Sequence, residues 1–457
     1  MDIHSPPRPV AAPVRVLELA ALLLTYLSLA AGVAVEHGHF SPTAIALVCL
    51  GSASLVVAAA THLRAAAQQR ERRSRAVSLE KLLAVALVLV LIGGIFDAPG
   101  YYLQSRVYRI VFIAVQLGLA AAVGAGLFAH RLEARLRHVI FAAGVTAGFG
   151  LRIGMISASP APRIDVFTQF QESAAHVLHG LNPYSTSVSD PYHGTINYGY
   201  HVTGYAYPPA NLYPQTAAYL LLGDIRYACI LFECVAIAAL YALVPVARRA
   251  AGQLLVLLFL FHPRGLFVIE QAWTEPLLVG AAGIFLWLAA IRPASRWVPV
   301  VFGFFLSLKQ YLVFFAVLYF GQQKRWRLLL PVTAIVLLTW LPFLLWDARS
   351  AVDNGLLFQF RTAFRPDGLT LSSVAFRWFG WQPTKWVAIG IGLAVTGAAW
   401  KFFQGRGLGG YLYASLLATL AAFLVGSQAF CNYYYFLGTL VLFLIAVRLR
   451  EEESHAA

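Results

Sequence analysis

Asp165 directly follows an apolar run, and Glu172 comes seven residues later in the segment RIDVFTQFQESAAHVLHG. A carboxylate held where lipid meets water can take a proton from a hydroxyl, or it can cap a helix or pair with Arg163. Lys309, in SLKQY, stands in the middle of the apolar run 298–319. An ammonium there costs about 2.5–3.5 kcal/mol on insertion scales, and snorkelling from mid-run is difficult, so a functional role is favoured. Arg264, Arg361 and Arg365 are further groups able to bind anionic oxygens. Arg361 and Arg365, four apart, could equally be interfacial arginines sharing a helix face. Tyr184, Tyr205, Tyr207, Trp273 and the tyrosines at 433–435 offer rings for stacking, or an aromatic belt at the bilayer interface. His176 and His179 lie one helical turn apart without a D-x-D or other acidic cluster, so no metal is expected. Glu270 and Glu275, near His262, read as polar cavity residues. No GxGxxG, P-loop or nucleophile elbow occurs, and no cofactor is implied.

The elements that must position these groups are set by lipid. The 457 residues are 60% hydrophobic and 12% charged, with a mean hydropathy of +0.70. That is too little charge to cover a soluble protein of this size. Apolar runs near 20 residues, such as 81–96 and 108–129, fit helices that satisfy their own backbone, and the alternation of a β-barrel is absent. The expected fold is therefore all-α and polytopic, with about 12–14 helices. The apolar stretch opened by Arg15 is too long for a cleavable leader. The net charge of +14 fits basic cytoplasmic loops better than nucleic acid, since no aromatic-basic module accompanies it. Cysteines at 49, 229, 234 and 431 form neither a disulfide framework nor a zinc spacing.

Basic clusters at 64–75, 130–137, 324–327 and 448–450 are assigned to the cytoplasm. This gives spans near 15–35, 42–62, 81–96, 108–129 and 139–156, and then 328–346, 386–400, 408–425 and 433–448. Both termini are cytoplasmic, and the segments 157–206 and 347–385 lie outside. The middle does not alternate cleanly. Two apolar runs fall between Tyr207 and Arg249 where one crossing is needed, and the run around Lys309 is basic at both ends. Two half-helices meeting near Lys309 would resolve the latter, since broken helices survive where they line a protein cavity. Residues 1–138 read as a separate four-helix unit without buried functional charge, and 139–457 as the catalytic membrane domain. No internal repeat is evident.

In the first outer loop, Phe167, Phe170, Ala174 and Leu178 recur at helical spacing, with Gln169, Glu172, His176 and His179 on other faces. This predicts an amphipathic surface helix, C-capped by Gly180 and followed by an Asn182-Pro183 turn. An Asp at the end of a span, a helix, G-x-N-P-Y and then Y-x-Y-P-P resemble the GT-C superfamily of membrane glycosyltransferases, most nearly glycosyltransferase family 87. The matching residues are Asp165, Gly180, Asn182, Pro183, Tyr184, Tyr207, Pro208 and Pro209. Glu270-Gln271, Lys309, FRPDGLTL at 364–371 and NYYYF at 432–436 are looser matches. The resemblance covers about 139–457.

The resemblance implies transfer of a sugar, with mannose the family lean, from a polyprenyl phosphate to a lipid or glycan acceptor on the outer face. Polyprenyl phosphate is already a good leaving group, so one carboxylate acting as base suffices, with Asp165 the candidate and Glu172 the second. Substrate contacts would come from Glu172, Asn182, Tyr184, Tyr207, Arg264, Gln271, Lys309, Arg361, Arg365 and Tyr434. Membrane lipids are the other expected partners, and nucleic acid is not one. A transporter or glycolipid flippase would show inverted repeats and charge near the midplane. An O-antigen ligase or polymerase would keep its chief outer loop late and basic. Cysteines introduced at positions 190 and 367 should label from outside the cell; labelling only from the cytoplasm would overturn this orientation.

Overall fold

The computed structural model describes residues 16–67, 79–128, 134–193, 204–322 and 324–456. The start of the chain, much of the basic runs 64–75 and 130–137, and residues 194–203 of the aromatic loop lie outside these. The described residues are 79% helical, and the one extended pairing among them is an isolated bridge between His39 and Gly368. Nine described helices are long and apolar enough to cross a bilayer. The protein is an all-α, multi-pass membrane protein.

Helices α1 (Val16–Val35) and α2 (Pro42–Ala67) pair, as do α3 (Leu79–Ile95) and α4 (Arg106–Phe128). Next, α5 (Ala134–Ala158) leads into α6 (Asp165–Leu178), α7 (Leu212–Leu222) and α8 (Arg226–Leu243). Then come α9 (Arg249–Leu260), α10 (Gly265–Glu270), α11 (Glu275–Ile291), α12 (Trp297–Leu306) and α13 (Val313–Gln322). The long α14 (Leu329–Val352) contains Pro342 and breaks helical geometry at Asp347. It continues through a π-turn (Asp353–Leu357) into α15 (Phe358–Arg361). A short α16 (Leu371–Phe379) precedes α17 (Lys385–Phe403), α18 (Gly407–Val425) and α19 (Cys431–Ala456).

Contacts between helix termini sort the loops into two ends. At one end, the Arg264 guanidinium donates to the carbonyls of Val33, Ala34 and Ala98. Here too Lys385 Nζ donates to the carbonyls of Phe360 and Thr362, and Phe40 N–H to that of Asp367. At the other end, Glu18 accepts from Arg448 and Tyr413 and Gln322 donates to the Ala399 carbonyl. That second end also carries Arg406, Arg448 and Arg450.

The middle of the chain breaks as its charge pattern required. A helix of ten residues rises about 15 Å, half of a hydrocarbon core about 30 Å thick. Helices α12 and α13 have 10 residues each, and Lys309 sits between them in extended geometry (φ −154°, ψ 146°). They form a re-entrant pair with Lys309 at its tip. The surplus run after Tyr207 is likewise re-entrant. Asn211 Nδ2 donates to the Leu308 carbonyl at 2.7 Å, α7 has only 11 residues, and Gln171 of α6 receives its far end through the Gly223 carbonyl at 2.9 Å.

Two expectations change. Residues 1–138 are not a separate unit without buried charge: α1 packs along α19 and α3 along α9, Tyr26 Oη donates to the Leu258 carbonyl at 2.6 Å, and Glu18 is buried against Arg448. The amphipathic face of α6 is also rotated. Phe167, Phe170 and Ala174 are buried with Tyr184, Tyr205 and Phe343 in a small second core. Gln169 is buried beside them while Leu178 is 41% exposed. The reason is that Leu178 ends the helix and overhangs that core, where Gly180 (φ +72°) turns the chain.

The α1–α2 loop approaches another backbone closely. A Cβ on Gly38, whose φ is +82°, would lie 2.4 Å from the Cys431 backbone nitrogen. Gly38→Val should add strain of about 1–3 kcal/mol and lower the thermal midpoint in detergent by several degrees. Gly93→Ala, with nothing within 4 Å of the added Cβ, should leave it unchanged or slightly raised. Equal midpoints for Gly38→Val and the native chain would refute this approach.

Candidate functional site

A cavity of about 990 Å³ opens among the loops of the first end. Its wall draws on the α1–α2 and α3–α4 loops, the start of α6, the segment at Tyr207, the α10–α11 turn, the Lys309 break and residues 358–367 and 428–433. Of the residues singled out from sequence, Asp165, Tyr207, Gln271, Trp273, Lys309, Arg365 and Tyr433 meet here.

Asp165 is half-buried at the first turn of α6, where the positive helix end favours a carboxylate. Ile164 is the N-cap residue and makes no side-chain cap. Asp165 Oδ1 accepts from the adjacent Val166 N–H at 2.9 Å and from the Tyr192 hydroxyl at 3.5 Å. Among the described residues no ion pair joins it to Arg163. Burial raises its pKa above the ordinary carboxylate value, and the Val166 N–H, the Arg365 charge and the Tyr192 hydroxyl offset this only in part. A buried carboxylate hydrogen-bonded this lightly is a proton acceptor of increased basicity.

Lys309 is caged. Its ammonium lies 2.5 Å from Glu275 Oε1 and over the rings of Tyr207, Tyr311 and Tyr433 at 5.7, 5.7 and 5.4 Å. The Tyr311 hydroxyl donates to the same carboxylate oxygen at 3.4 Å. Glu275 opens α11, so one buried pair fixes the re-entrant tip to a long helix. Arg365 grips Asp367 through two bonds of 2.8 and 2.7 Å, and His39 Nδ1 approaches the same carboxylate at 3.4 Å. Burial acts to raise the pKa of Asp367, but the Arg365 and His39 contacts outweigh it and hold the group well below the usual carboxylate range.

The other expected contacts fall away from the cavity. Glu172 accepts from the Ser189 N–H at 2.7 Å on the exposed side of α6. Asn182 is buried, its Oδ1 accepting the Tyr184 N–H at 2.9 Å in the turn its Asn-Pro sequence predicted. Tyr184 is buried in the second core and donates to the Tyr207 carbonyl at 2.8 Å, so it positions Tyr207. Arg264 is buried against Asp97 at 2.8 Å and against the Ala34 carbonyl in the last turn of α1. Arg361 faces outward, pairing with Asp353 at 2.9 Å. Tyr434 is buried and donates to the Leu369 carbonyl at 2.6 Å; its neighbour Tyr433 lines the cavity instead. Glu270 accepts the backbone N–H groups of Tyr101 and Tyr102 at 2.5 and 2.8 Å. Sequence reading missed Asp367, His39, Tyr101 and Tyr102, because each reaches the site through a tertiary contact without local pattern. The Arg-Pro-Asp spacing of 365–367 was the one available signal.

No group of three or more potential metal ligands occurs among the described residues. Comparison with known families, curated proteins and solved structures gives no match to this chain. Lys309→Met should leave Glu275 buried without a counter-charge and cost about 3–5 kcal/mol. Adding Glu275→Gln should restore most of the thermal midpoint. A double variant as unstable as the single one would show that the pair is not what holds the break.

Proposed function

We propose that this chain is a glycosyltransferase of GT-C type, similar to glycosyltransferase family 87. It would move a sugar, mannose by resemblance, from a polyprenyl-phosphate donor to a lipid or glycan hydroxyl. The observation that carries this reading is the meeting of Asp165, Lys309 and Arg365 around one cavity at the end of the molecule opposite the basic loops. By the positive-inside rule that end is extracytoplasmic, where nucleotide sugars are absent and lipid-linked donors serve.

The chemistry balances without a metal or a second carboxylate. Asp165 takes the acceptor proton as the acceptor oxygen bonds to the sugar's anomeric carbon. The bond from that carbon to the phosphate oxygen breaks, and polyprenyl phosphate leaves with the electron pair. Lys309 and Arg365 are the cations that receive the phosphate charge. Each has a carboxylate partner that holds it at the cavity wall. Val313, Phe314, Phe360 and Ile389 give the cavity an apolar flank suited to a prenyl chain. A transporter reading rests on another observation, the ion pair of Arg152 with Glu233 buried between α5 and α8.

Asp165→Asn should cut transfer from radiolabelled polyprenyl-phosphate sugars in membranes about 10²–10⁴-fold. In the native protein kcat/KM should fall as pH drops through a pKa above the ordinary aspartate value of about 4, because the carboxylate form is the active one. That limb should vanish in the variant. Full activity of Asp165→Asn would remove it as the base. Movement of glycolipid across vesicles without bond exchange would favour the transporter.

A further inference from the structure

The cavity has a second wall whose chemistry differs from the Lys309 side, and it is built by the α1–α2 and α3–α4 loops together with α10 and the turn after it. His37 packs against Tyr101 at 5.8 Å and Phe267 at 6.0 Å. Tyr101 packs against Tyr102 at 5.1 Å, and Phe267 against Trp273 at 5.4 Å. All five rings line the cavity, together with Glu36 and Gln271. The lining cations among the described residues, Lys309 and Arg365, belong to other parts of the wall. Arg264, behind this wall, is fully engaged by Asp97 and backbone carbonyls. Burial, followed by the charge of Arg264, lowers the pKa of His37, so its ring is neutral at physiological pH.

The wall is held firmly. The Glu270 carboxylate fixes the backbone of Tyr101 and Tyr102, and a Cβ on Gly100 would strike that carboxylate at 2.5 Å. The Tyr102 hydroxyl donates to the Arg163 carbonyl at 2.6 Å, two residues before Asp165. His37 occupies the left-handed region (φ 54°), rare outside glycine and found where surroundings enforce it. Its Nδ1 is buried without a hydrogen-bond partner among the described residues. Tyr101 keeps 65% of its surface exposed despite this anchoring. An anchored, exposed ring beside neutral and acidic hydrogen-bonding groups suits a ligand with apolar faces and many hydroxyls, and offers nothing to a phosphate.

We infer that the His37–Tyr101–Glu36 wall is a saccharide-binding subsite that seats the acceptor sugar beside Asp165. As an acceptor site the inference rests on the transferase reading; as a saccharide site it stands on the wall itself. The test is saturation-transfer NMR on the full chain in phospholipid nanodiscs, using methyl mannoside, glucoside and arabinoside as probes. At least one glycoside should receive saturation from the native protein. Tyr101→Ala should weaken that signal about five-fold or more, Trp386→Ala, outside the cavity, should not, and inorganic phosphate should not compete. No signal from any glycoside, an undiminished signal in Tyr101→Ala, or displacement by phosphate would each overturn the subsite. A Tyr101-dependent signal in a protein that transfers sugar from no donor would uphold the subsite while removing the transferase reading. Transfer with unchanged acceptor KM in Tyr101→Ala would do the reverse.

Discussion

A charge taken out of water must find an opposite charge or a ring of dipoles, and Lys309 shows how far that requirement reaches. The ammonium sits at the tip of two half-helices, and Glu275 and three tyrosine rings surround it. Tyr311 is local, but the other three partners come from different parts of the chain: Glu275 from the start of α11, Tyr207 from the dip before α7, Tyr433 from the start of α19. Satisfying one lysine therefore fixes the relative depth of three helices and the mouth of a cavity. Removing Glu275 would release more than one bond, since Tyr311 also donates to it.

The same rule explains why the first four helices belong to the body. Glu18 of α1 is fully buried and accepts from Arg448 and Tyr413, which joins the described beginning and end of the chain. Arg264 joins the last turn of α1 and the loop beyond α3 to the α9–α10 corner. Buried ion pairs of this kind contribute less to net stability than their geometry implies, because desolvation offsets most of the attraction. Their stronger effect is on specificity: a misplaced α1 would leave a carboxylate and a guanidinium uncompensated in a medium of low dielectric.

What was legible in sequence followed from one-dimensional signals. Lys309 announced a break because a charge interrupted an apolar run, and Gly180 and Asn182-Pro183 announced the end of α6. Helix α6 itself was readable, but Leu178 was placed on its buried face because periodicity does not reveal where a helix outruns its support. Arg264, Tyr184 and Tyr434 looked like ligand-binding types and proved to be buried supports. Residue type alone does not separate an arginine that meets a ligand from one that ties loop carbonyls. His39 and Asp367, and Tyr101 and Glu270, come together only through the fold, so nothing local marked them.

The resulting cavity is electrostatically uneven, and that unevenness has a physical origin in the chain. The cationic side rests on the late part of the chain, where Lys309 and Arg365 are each paired with a carboxylate. The aromatic side rests largely on early loops, whose backbone groups engage the charges of Glu270 and Arg264 behind the wall. Asp165 lies between them, at the start of a helix whose dipole favours its charge while burial opposes it. Of the two walls, the cationic one also acts on the basicity of Asp165, through the charge of Arg365.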